Sequence, residues 1–138
     1  IDYAIRAPRV LDDGEAIQTG RHTFKFLATP HLQHGWGASL LFDDTEKVLF
    51  CSDLLLQHGD PPPVADSVFE QAASALSKSQ QGPLHDAIPY TTKTGATFAR
   101  LAALAPQTLA IMHGACFRGD GARLLLQFER ELARVQGA

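Results

Sequence analysis

The sequence predicts a layered α/β (α+β) domain in which helices pack on a mixed β-sheet. Three observations predict it. β-rich runs crowd the first half, helical patterns fill the second, and one short apolar strand, TLAIM, separates the last two helices. A chain of 138 residues is expected to form one domain. Its 45% hydrophobic and 20% charged residues are ordinary for a globular α/β protein and sufficient for a core. A formal net charge of −3 offers no basic face to a nucleic acid. No apolar run approaches the roughly 18 residues of a membrane span, and no signal-peptide pattern opens the chain. Neither a nucleic acid nor a membrane is therefore expected as a partner.

The elements follow in order. RVLDDGEAIQTGRHTFKFLAT reads as two short strands, with turn signals at Asp12-Asp13-Gly14 and Thr19-Gly20 and a stop at Pro30. GASLLFDDTEKVLFCSD reads as a hairpin. Its arms are Ser39 to Phe42 and Val48 to Cys51, and their nearly unbroken apolar character predicts a sheet covered on both faces. HGDPPPVAD is a loop, because three consecutive prolines cannot continue a helix. A first helix follows, with Asp66 or Ser67 as its cap and Phe69, Ala72, Ala73 and Leu76 on one face. A second is capped by Thr94, carries Phe98, Leu101 and Leu104, and closes at Pro106. After the strand TLAIM, the last helix starts at Asp120 and buries Leu124, Leu125, Phe128, Leu132 and Val135.

Polar residues recur at the strand ends. His31 and His34 follow the strand that ends near Ala28, Asp53 follows the hairpin, and His113 follows TLAIM. If these ends share one sheet edge, imidazole and carboxylate converge in a donor set suited to zinc or iron. Gly35, Gly37 and Gly114 would let backbone approach a bound ion. Each residue also has a plainer use: Asp53 can cap a turn, and a histidine can simply sit in a loop. Cys51 and Cys116 lack CxxC spacing and read as buried thiols in a reducing cytoplasm. Two residues apart on one strand, Cys51 and Asp53 would face the same way. No G-x-S-x-G, Walker A or G-x-G-x-x-G motif is present.

TPHLQHGWGASLLFDDTEKVLFCSDLLLQHGD, together with LAPQTLAIMHGACFRGDG, resembles the metallo-β-lactamase-fold superfamily, and most of all its oxygen-binding di-iron, flavodiiron-like branch. In that branch a histidine precedes an aspartate by nineteen positions. Here 53 − 34 = 19, so the resemblance selects His34 over His31. It implies His34, Asp53 and His113 as metal ligands, with Asp53 bridging two metals. His31 would then steer His34 from behind, and His58 would stand at the pocket mouth, unless each is an ordinary loop histidine. Trp36 is either a wall of the pocket or core, and His85 and Asp86 are either its rim or a helix start; His22 has no assigned role.

The family's first ligand motif, His-x-[His or Glu]-x-Asp-His, is absent. The resemblance therefore implies a partial domain over residues 1–138: the C-terminal half of an αββα sandwich, with helices on one face of its sheet. A start at Ile1 rather than Met fits that expectation. The complete domain would hold two metal ions, iron favoured and zinc possible, and would act on dioxygen or on a hydrolysable substrate. The missing half, or self-association, would supply the other ligands and cover the exposed sheet face. The alternatives are a zinc hydrolase of the same fold, in which bound water falls to a pKa of about 7, and a metal-free interaction fragment. A cytoplasmic location is the default expectation.

Overall fold

A computed structural model describes residue 5, residues 7–32, 35, 37–83, 85 and 87–137. It contains seven strands and three helices in the order β1 (Ala16–Thr19), β2 (His22–Ala28), β3 (Ser39–Asp43), β4 (Val48–Ser52), β5 (Val64–Ala65), α1 (Phe69–Ser79), α2 (Thr94–Ala103), β6 (Thr108–Ile111), β7 (Cys116–Arg118) and α3 (Gly121–Gln136). The strands form one mixed sheet in the order β1-β2-β3-β4-β6-β7-β5. β1 to β4 meander antiparallel. β4 and β6 then pair in parallel, because the chain between them crosses over through α1 and α2.

The β3–β4 turn is built by Asp43, whose Oδ1 accepts the backbone N–H groups of Thr45 at 2.9 Å and Glu46 at 3.3 Å. The other oxygen lies 2.7 Å from His22 Nδ1, which gives His22 a structural partner that its sequence context did not suggest. Burial pushes the Asp43 carboxyl upward. Contacts from His22, Glu46 and Thr45 outweigh it, and the net shift is down from 3.8.

One face of the sheet carries Leu40, Phe42, Leu49, Cys51, Leu109 and Ile111, all buried in a single core with Phe98, Leu101, Leu124, Leu125, Phe128 and Leu132 of the helices. On the other face Phe26, Leu41, Phe50 and Ala110 stand in register across β2, β3, β4 and β6. Phe50 is 42% exposed there. The apolar arms are thus covered by helices on one face only, where coverage of both was expected.

Other expectations need correction. α1 starts after Val68 and α2 after Lys93, and neither position makes a side-chain cap hydrogen bond. Asp66 and Ser67 lie outside α1, while Thr94 is already inside α2 and takes the Thr91 N–H on its hydroxyl at 2.8 Å. Asp120 does cap α3, accepting the Arg123 N–H at 2.9 Å. The proline loop contains β5, which pairs in parallel with β7; neither strand was expected. Cys51 is buried and Cys116 half-buried, and burial pushes the Cys51 thiol well above its ordinary range.

Candidate metal centre

β2, β4 and β6 run in one direction, since β3 reverses the chain between the first two and β4 pairs in parallel with β6. Their C-terminal ends therefore reach the same sheet edge. The loop after β2, the turn after β4 and the turn after β6 all leave from it, which is where open α/β sheets build their sites.

The turn after β4 is contorted. The β4–β6 register shifts between Phe50 and Ser52, and Ser52 and Leu55 take left-handed backbone conformations at φ 49° and 67°. Such conformations cost about 1–3 kcal/mol each and persist where surrounding structure holds them. Here the Leu54 N–H donates to the Cys51 carbonyl at 2.9 Å, the Leu56 N–H to Asp53 at 3.1 Å, and the Met112 N–H to Ser52 at 3.0 Å. β4 ends at Ser52, so Asp53 rides on the turn, beyond the strand alternation that was expected to align it with Cys51.

This turn brings Asp53 and His113 together, with Oδ1 and Nε2 3.2 Å apart. The Asp53 side chain is 21% exposed and that of His113 57%. One donor is thus held within the fold and the other is open to exchange with solvent. A hollow of about 440 Å³ opens beside His113 and is bordered by Gln57, His58 and Gly59. Behind Asp53 lies a second cavity, of about 140 Å³, lined mainly by apolar side chains from the turn, α1 and α3.

Gln57, which sequence reasoning passed over, ties the two donor loops together. Its backbone N–H donates to the His113 carbonyl at 2.7 Å. Its buried side-chain amide donates to the Ala115 carbonyl at 3.2 Å and accepts the Ala115 N–H at 3.1 Å. Gly114, between them, has φ 145°, and a Cβ there would stand 2.6 Å from Gln57 Cδ. This clamp requires a glycine at position 114, whereas Gly35 and Gly37 have nothing within 4 Å of an added Cβ. No signal short of the contact itself marks Gln57.

His34 lies outside the described residues, as do Trp36 and Asp86. His31 is exposed at φ 63°. His58 is also exposed and borders both cavities. Among the described residues no group of three or more histidine, cysteine or carboxylate side chains that could hold a metal forms. Asp53 and His113 supply two donors of the kind iron and zinc take.

No protein-family model matches the sequence, and no curated protein matches it. Solved structures do. The flavodiiron protein of Giardia intestinalis superposes with a TM-score of 0.71 at 19% identity, covering 91% of this chain and 30% of that one. A single-residue variant of the flavo di-iron protein of Thermotoga maritima gives 0.69 at 26%, covering 93% and 30%. The rubredoxin oxygen:oxidoreductase of Desulfovibrio gigas gives 0.69 at 19%, covering 94% and 33%. The chain spans about a third of the length of each. In fold, the seven-stranded mixed sheet and three helices match that portion of the flavodiiron proteins.

Proposed function

We propose that the chain is the C-terminal, ligand-bearing part of a di-iron module that binds dioxygen, with His34, Asp53 and His113 as its ligands. The observation that carries this reading is the Asp53–His113 contact at 3.2 Å, made at the ends of two parallel strands. Asp53 is the anionic donor suited to lie between two cations. His113, exposed and held through its backbone carbonyl by Gln57, borders the hollow. His34 lies in the sequence between β2 and β3 and enters the set through the nineteen-residue spacing to Asp53 alone. The flavodiiron likeness supports iron, which when bound would supply redox chemistry at this site. The remaining ligands come from a complementary segment or from a second copy, seated on the Phe26-Leu41-Phe50 face. Thiols at Cys51 and Cys116 suit a reducing compartment, and we place the module in the cytoplasm.

Metal analysis of the protein, alone and with the complementary segment of a flavodiiron protein supplied, tests this. Bound iron is expected, with affinity falling by more than about a hundredfold in Asp53→Asn and His113→Ala, beyond the roughly 10–100-fold loss typical of residues that only support a ligand. Stoichiometric zinc in place of iron redirects the reading to a hydrolase. Absence of metal under both conditions, or binding indifferent to both substitutions, overturns it.

A further inference from the structure

We infer that the half-open apolar cavity behind Asp53 is a chamber for a small apolar guest, and that under the reading above, on which this identification rests, the guest is dioxygen. The chamber holds about 140 Å³. That is close to the roughly 150 Å³ of an apolar cavity that stays dry and takes in benzene or xenon. Its room exists because α1 presents Ala72 and Ala75, both buried, where larger side chains would fill the space. Leu55, Leu76 and Phe128 add further apolar wall. Ser79 turns its hydroxyl back onto the Leu76 carbonyl at 2.7 Å, so it offers the chamber no free donor.

Size and polarity narrow the occupant. The volume excludes a peptide or nucleotide, and among the described lining residues the Asp53 carboxylate stands beside His58, so the wall holds no surplus of positive charge for an anion. An uncharged apolar molecule loses nothing by leaving water for such a space. Position gives the chamber its use. Asp53 borders it, and Asp53 also contacts His113, which opens on the solvent-filled hollow. An apolar gas held between α1 and α3 therefore lies next to Asp53, one member of the donor pair. The segment at Ile88 that borders the chamber is pinned by α3, where Gln136 Nε2 donates to the Ile88 carbonyl at 3.2 Å.

Dioxygen is paramagnetic, so methyl relaxation in the full, metal-free chain under oxygen pressure reads its location directly. Methyls of Ala75 and Leu76 are expected to relax several-fold faster under oxygen than the comparably buried methyls of Leu40 and Ile111. Ala75→Leu fills the chamber from its buried wall and should abolish the difference. Ser79→Leu, at a partly exposed position, does so should the first variant not fold. Equal enhancement at chamber and reference methyls overturns the proposal, as does a chamber that takes benzene but shows no local effect of oxygen. Asp53→Asn keeps the gas signal, because apolar walls form the chamber. Loss of the signal with metal binding intact sinks the chamber alone, and metal failure with the signal intact sinks the di-iron reading.

Discussion

Gln57 sits where two requirements meet: the Asp53 turn must be held, and the His113 carbonyl must stay beside it. Truncation in Gln57→Ala removes the amide contacts and leaves the Ala115 N–H buried without its acceptor, a loss of about 1–3 kcal/mol. Urea unfolding should show this destabilisation, together with weaker metal binding in the assembled module. Gly114→Ala should cost a similar amount, from left-handed backbone and from the Gln57 side chain. Because the two positions touch, the cost of Gly114→Ala should shrink in a Gln57→Ala background, and a double-mutant cycle measures the coupling. Additive costs would show that Gly114 answers to its backbone alone. Asp53 and His113 were legible in the sequence because each ends an apolar run of recognisable strand type. Gln57 was not, because its partner lies 58 residues away and a glutamine in a loop carries no periodic signal.

Among the helices, α3 has the one side-chain cap that formed where the sequence put it. Asp120→Ala should lower stability by about 1 kcal/mol, seen as a lower thermal midpoint. Ser67→Ala, at a position expected to cap α1, should stay within about 0.5 kcal/mol because no capping bond depends on it. Caps were misread for α1 and α2 because several Ser, Thr and Asp residues precede each apolar stripe, and the stripe does not say which one turns. β5 and β7 escaped for another reason: strands of two and three residues are too short to show alternation, and only their pairing with each other and with β6 defines them. The hairpin closed by Asp43 carries a pH dependence. Its carboxyl titrates below 3.8 when folded, so its stabilisation is complete above the unfolded value and is lost as pH falls through the lower, folded one. Asp43→Asn should therefore flatten part of the acid limb of the stability–pH curve, measured by urea unfolding at successive pH values. An unchanged limb would assign acid sensitivity to other carboxylates.

At the scale of the whole molecule, the helices cover one side of the sheet, while the row Phe26-Leu41-Phe50-Ala110 faces outward, joined by Phe24, whose ring centroid is 6.3 Å from that of Phe50. Isolated proteins rarely show water a contiguous apolar patch of more than a few hundred Å², and each buried aromatic side chain withdraws roughly 150–250 Å². Under the proposed di-iron reading this face and the further ligands share one remedy: a second layer that packs on the sheet and brings donors to the same edge. Phe50→Asp separates association from folding. Phe50 is 42% exposed within the chain, so the charge should shift unfolding stability by only about 0.5 kcal/mol. In the assembled state the same carboxylate would be buried without a partner, which is costly. Sedimentation velocity should show association by the wild-type chain, with itself or with the complementary segment, and loss of that association in Phe50→Asp. If the wild type stays monomeric under both conditions while binding iron, the outward face has no part in completing the site, and the missing ligands must reach the edge over the loops instead.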